Sequence, residues 1–287
     1  MTGIQKLSVA LLLNSVFLTQ YANAENIKIQ PFLASPEHFG VTSTLIETDK
    51  DVMLVNAQFS KSEALRIAAN ILDSGKQLKT IFVSYGDPDY YFGLDVLKQI
   101  FPKAQIIATP ETVKHIEKTY QLKQKYWSPQ MGENAPSKII IPQPYTAKEI
   151  NFDGLNIQIQ GKKELTYLWI PSIKAVIGGI PVSSGIHLWM ADTATASSRK
   201  EVLMTLQNIK ELMPKIVIPA HMASGAVENM PAVDFSIQYL EQYEKAVQKT
   251  KNANELIAEM KTIYPKLHEV NSLELGAKVV KGEMKWP

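Results

Sequence analysis

Hydrophobic residues recur along this chain with two periods, and the alternation between them sets out its elements. Short apolar or alternating runs read as strands at Asn26–Phe32, Val41–Glu47, Asp51–Val55, Leu78–Val83 and Ala104–Ala108. A second block follows at Ile139–Ile141, Leu155–Gln160, Leu165–Ile170, Ala175–Gly178 and Lys215–Pro219. The polar stretch Thr48-Asp49-Lys50 predicts a hairpin turn. Helical spacing shows in Ala64, Ile67, Ala68 and Ile71, behind a capping box at Ser60 and Glu63 and ahead of a stop near Gly75. It recurs in Leu94, Leu97, Ile100 and Phe101, and in Val202, Leu206, Ile209 and Leu212 behind a capping box at Ser198 and Glu201. Thr109-Pro110 opens a long, lysine-rich helix expected to end near Tyr126-Trp127-Ser128-Pro129, with Gln130–Lys138 as a loop. Pro231–Thr250, Asn252–Tyr264 and Leu273–Val280 complete a helical C-terminal part. Strand blocks each followed by helices fit a sheet-on-sheet core with helices outside, in one α/β or α+β domain.

At 287 residues, 45% hydrophobic and 20% charged, the chain is long enough for a full core. A net charge of +2 gives no electrostatic footprint for nucleic acid. The absence of cysteine excludes disulfides, thiolate metal sites and cysteine nucleophiles. Lys6, the apolar run Leu7–Leu18 and Ala22-Asn23-Ala24 read as a secretory signal over residues 1–24. The mature chain is then a single domain over 25–287, beginning at Glu25, exported and, in a Gram-negative bacterium, periplasmic. No further run approaches a membrane span of ~20 apolar residues.

The chemistry centres on Ser84–Gly93, S-Y-G-D-P-D-Y-Y-F-G, between a strand and a helix. Asp87 and Asp89 are expected on a loop at the strand's C-terminal end, where α/β folds place their sites. Pro88 stiffens that loop and Gly93 allows the turn into the helix. This stretch resembles the metallo-β-lactamase superfamily signature H-x-H-x-D-H-x-x-G. Tyr85, Asp87, Asp89, Tyr90 and Gly93 stand at the two histidines, the aspartate, the third histidine and the glycine. The resemblance extends over roughly Val41 to Gly225 and implies the four-layer αββα sandwich. Further along, Lys162 stands near the next metal histidine, Ile180 takes the place of the bridging aspartate, and the late P-G-H motif survives as Pro219-Ala220-His221. The early D-T-G-like turn is Asn56-Ala57-Gln58, without its aspartate.

On this alignment Asp89 and His221 keep family ligands, Asp87 is a substitute ligand, and Tyr85, Tyr90, Lys162 and Ile180 are losses. Catalytic zinc takes three protein ligands and an open position for water. Asp87, Asp89 and His221 could supply three for one divalent metal (zinc, or manganese or iron), with Lys162 repelling it; a two-metal centre is not supported. Asp89 could double as base, and water on that metal would attack an ester, lactone or amide. His187, in Gly185–Asp192, offers an alternative ligand or general base, as does Asp192; packing beside Trp189 is the structural reading of His187. Tyr85 and Tyr90 could donate to an oxyanion or fill the space of lost histidines. The Asp87/Asp89 pair could be an acid–base couple or cap backbone amides. His115 and the lysines from Lys114 to Lys125 are expected on a solvated helix face. Aromatic residues of 31–39 and 124–134 could overhang the pocket or pack at its rim. Two functions remain open: a hydrolase with at most one metal, or a metal-free descendant that binds a small molecule or another protein.

Overall fold

The computed structural model describes residues 27–286; the signal expected at 1–24 lies outside them. The first sheet has six strands in chain order: β1 (Lys28–Leu33), β2 (Thr42–Glu47), β3 (Asp51–Val55), β4 (Gln77–Phe82), β5 (Gln105–Ala108) and β6 (Gln143–Pro144). β1, β2 and β3 pair antiparallel, and β3 through β6 are parallel. The second sheet orders β12 (Ile216–Val217), β10 (Ala175–Ile177), β9 (Leu165–Ile170), β8 (Leu155–Lys162) and β7 (Glu149–Phe152). A short parallel pair, β11 (Ser183–Ser184) with β13 (His221–Met222), brings His221 beside the second sheet's outgoing loop.

Period-two alternation sorts these strands into layers. Leu45, Val52 and Leu54 face outward onto α1 (Lys61–Asp73), α3 (Leu94–Ile100) and α4 (Pro110–Met131). Their neighbours Ile46, Met53 and Val55 face inward and meet Ile157, Leu168, Ile170 and Ile177 of the second sheet. On that sheet's far side Tyr167 and Trp169 pack under α5 (Ala196–Glu211), α6 (Asn229–Lys249), α7 (Ala253–Ile263) and α8 (Val270–Val280). The result is helices, sheet, sheet, helices: the αββα sandwich that the resemblance implies.

Several local expectations change. Ser60 caps α1 by accepting from Glu63 N, but the Glu63 carboxylate turns instead to His38 and Arg66, so the capping box is half made. The box predicted at Ser198 and Glu201 lies three residues earlier, between Thr195 and Ser198, and Glu201 pairs with Lys163. α4 continues through Pro129 to Met131, and Ile139–Ile141 forms no strand. β7 and β11 have no counterpart in the sequence reading. Gly93 has ordinary helical angles (φ −68); it is needed because a Cβ there would lie 2.0 Å from the Ala57 carbonyl oxygen.

Candidate functional site

The site lies where β4 ends, at the edge of the sandwich. Asn56 and Ser84 fix that end: Asn56 Oδ1 accepts from Ser84 N and Oγ, and Ser84 Oγ accepts from Gly179 N. This ties the lost D-T-G turn, β4 and the degraded G-D motif into one rigid corner. The two aspartates do not share a loop. Asp87 precedes a short helix, α2 (Pro88–Tyr91), and Asp89 sits in its first turn. Neither caps it, since Asp87 makes no side-chain cap bond.

Each of the three candidate metal ligands is already engaged. Asp87 Oδ1 accepts from Lys123 Nζ, an ammonium whose side chain is 1% exposed. The same nitrogen lies 3.4 Å from His115 Nε2 and 3.9 Å from Asp192 Oδ1. Burial pulls the Lys123 pKa down, but Asp87 and then Asp192 outweigh it, so it stands above its ordinary value and the side chain stays charged. Asp89 Oδ2 accepts from His221 Nε2 at 3.0 Å, and the Phe39 carbonyl accepts from His221 Nδ1 at 3.0 Å. The Phe39 carbonyl can only accept, so Nδ1 carries hydrogen, and a carboxylate at Nε2 favours a second hydrogen there, which leaves no lone pair for a metal in that state. Burial works against that imidazolium, yet the bond to Asp89 raises the His221 pKa overall.

Asp87, Asp89 and His221 do converge on one pocket, but as two ion pairs, Lys123–Asp87 and His221–Asp89. Among the described residues no group of three or more His, Asp or Glu side chains is placed to hold a metal ion. A divalent cation would have to displace a buried ammonium that already neutralises Asp87, so the residues present do not fit the metal centre that the motif positions imply. Lys162, expected to repel a cation, is exposed at the end of β8; Lys123 holds the position that matters.

Lys123 therefore does not lie on a wet helix face, as the lysine-rich composition suggests. It belongs to the buried stripe of α4, with Thr112, Val113, Ile116 and Thr119. The signal is in the spacing: 112, 116, 119 and 123 advance by four, three and four, the stripe of one helix face. His115 is likewise half-buried, and its Nδ1 meets Glu164 at 2.9 Å. Gly86 permits this approach of α4, since a Cβ there would lie 2.5 Å from the His115 ring.

The remaining residues divide. Tyr85 lines the pocket, and burial, then the nearby Asp87, holds its phenol well above its ordinary pKa. Tyr90 does not line it: its ring packs on Tyr85 and His221, and its hydroxyl is buried without a partner among the described residues. His187 lines the pocket with Nδ1 at 2.9 Å from the Tyr239 hydroxyl, so its packing partner is Tyr239 rather than Trp189. Burial, then Lys261, lowers its pKa to about 4 and keeps it neutral. Asp192 accepts from the Trp189 indole through Oδ2 and from the Trp286 indole, 3.1 Å away, through Oδ1. Burial, then Asp87, raises its pKa. Ile180 lines the wall in place of the bridging aspartate. Phe39, Phe59, Trp127 and Trp189 line both this inner pocket and an outer vestibule beneath Tyr126 and Met131, so the aromatic overhang is the neck between them.

Comparison with solved structures decides the fold. A metallo-β-lactamase family protein from Thermus thermophilus superposes with a TM-score of 0.65 at 12% identity, over 90% of this chain and 92% of that one. The chain has the metallo-β-lactamase fold. A β-lactamase domain protein from Burkholderia ambifaria gives a TM-score of 0.63 at 13% identity, covering 91% of this chain and 85% of that chain. The DIM-1 metallo-β-lactamase gives 0.52 at 18% identity, covering 76% and 94%. No family model and no curated protein matches the sequence. On this metallo-β-lactamase-fold chain, Asp89 and His221 meet across 132 positions of sequence.

Proposed function

We propose that this chain is an exported, metallo-β-lactamase-fold protein in which two internal ion pairs stand in place of a metal centre, and that its pocket binds a small molecule. The observation that carries this reading is the Lys123 ammonium, buried against Asp87. A buried charge persists only where it is paired, and an ammonium in this position supplies the positive charge that a metal would otherwise bring to the carboxylates. The His221–Asp89 pair supports the same reading, because a doubly donating imidazolium is neither a ligand nor a base.

The experiment is metal content. The purified mature protein is exposed to zinc, manganese or iron, dialysed and analysed by mass spectrometry beside Asp89→Ala and His221→Ala. The expected result is no metal above that of the variants. Near-stoichiometric metal lost in both variants would sink the reading and return the site to a mononuclear hydrolase acting on an ester, lactone or amide. Export after Ala24 rests on the signal-like N-terminus; cell fractionation and N-terminal sequencing of the expressed protein should find Glu25 first, in the periplasm.

A further inference from the structure

Charge in the inner pocket does not balance. Its wall carries four carboxyl groups, Asp87, Asp89, Asp192 and Glu269, against two cations, Lys123 and His221. Lys123 is committed to Asp87 and His221 to Asp89. Among cations Asp192 has only the shared, 3.9 Å approach of Lys123; Glu269 feels the charge of His221, then the Ser272 hydroxyl and the charge of His268, but the His221 ring is bonded to Asp89. His187 does not contribute a charge, because burial keeps it neutral. Both surplus carboxyls are pushed toward protonation, chiefly by burial. A pocket of this kind gains most from a ligand that brings positive charge.

The rest of the wall fits such a ligand. Trp189 and Trp286 meet edge to face at 5.3 Å, and Trp127 stands 5.4 Å from Phe39 and 5.5 Å from Phe59. Aromatic faces attract organic cations through the ring quadrupole and cover an apolar body at the same time. Tyr85 adds an independent sign. It is 4% exposed, lines the cavity, and its hydroxyl makes no hydrogen bond to any described residue. Its oxygen is free to accept from an N–H donor. Asp192 already shows the geometry, since both of its oxygens accept aromatic N–H groups.

We infer that the pocket takes a protonated amine carried on an aromatic or apolar body, held by Asp192, Glu269 and Tyr85 and enclosed by the tryptophans. The inference rests on the metal-free reading of the same site, and the two can fail separately. Titration calorimetry of the mature protein would compare phenethylammonium with its neutral isostere propylbenzene and with phenylpropionate. The ammonium should bind at least about tenfold tighter than the neutral compound, equal to about 1.4 kcal/mol, and phenylpropionate should bind weakest. Asp192→Asn and Glu269→Gln should each shrink the ratio of ammonium to propylbenzene affinity, whatever either does to propylbenzene binding by itself, and an unchanged ratio in both would overturn the inference. Tyr85→Phe should weaken the ammonium alone. Equal binding of ammonium and neutral probe, tighter binding of the carboxylate, or no binding of any probe would overturn the inference. Metal content, measured on the same preparation, reports on the metal-free reading by itself.

Discussion

At the scale of single residues, Lys123 anchors the site. Its removal leaves Asp87 buried without a cation, which should cost about 3–5 kcal/mol. Lys123→Met is therefore expected to lower the urea midpoint strongly, and Asp87→Asn added to it should recover part of the loss. If Lys123→Met unfolds like the parent, the pair is not the anchor of the site. Tyr90 makes the opposite prediction. Its hydroxyl is buried and unpartnered among the described residues, so Tyr90→Phe removes an unsatisfied donor and should leave stability unchanged or raise it. A large loss would show that the hydroxyl does have a partner. His187 sets a pH dependence. Its folded pKa, about 4, lies below the unfolded value of ~6.5, so the unfolded chain takes the proton first as pH falls. Its contribution is fully present above ~6.5 and is lost as pH falls toward about 4. His187→Gln should flatten the urea midpoint over that window, and an unchanged slope would contradict the assignment.

At the scale of elements, α4 explains what can and cannot be read from the sequence. Its start is legible: Thr109 accepts from Thr112 N and Pro110 takes the first turn, as that dipeptide predicts. Thr109→Ala should cost about 1 kcal/mol in thermal or urea unfolding, and, because α4 carries Lys123, it should also loosen the Asp87 pair. Its end is not legible. A proline suggests a stop, but Pro129 sits in the last turns of a helix long enough to continue past it. Its buried face is hidden where composition is weighed above position. A lysine-rich helix looks solvated until Lys123 is placed on the same stripe as Ile116. The α2 region shows the reverse. The sequence locates Asp87 and Asp89 at the end of β4, yet whether they face a metal, each other or separate cations depends on α4 and on the β13 segment, both remote in sequence. The roles of Trp286 and Glu269, contributed by the C-terminal part, lie beyond local pattern for the same reason.

Over the whole molecule, the order of strands and helices is legible from periodicity and the αββα layering from the resemblance at Ser84–Gly93, while the period of each strand decides which residues face which layer. Leu45 and Ile46, adjacent in sequence, enter different cores. The motif frame from Tyr85 to Gly93 and the late Pro219-Ala220-His221 predict which strand ends meet, and they do meet. The electrostatics of the meeting point require side-chain geometry. Two carboxylates in a family frame suggest a cation, and the fold provides it from its own chain. The most direct test is heteronuclear NMR of the lysine ammonium groups at neutral pH, before and after excess zinc. One ammonium signal should be protected from solvent exchange, absent in Lys123→Met and unmoved by zinc. A spectrum without a protected ammonium, or one in which stoichiometric zinc displaces it, would contradict the claim that Lys123 holds the place of the metal.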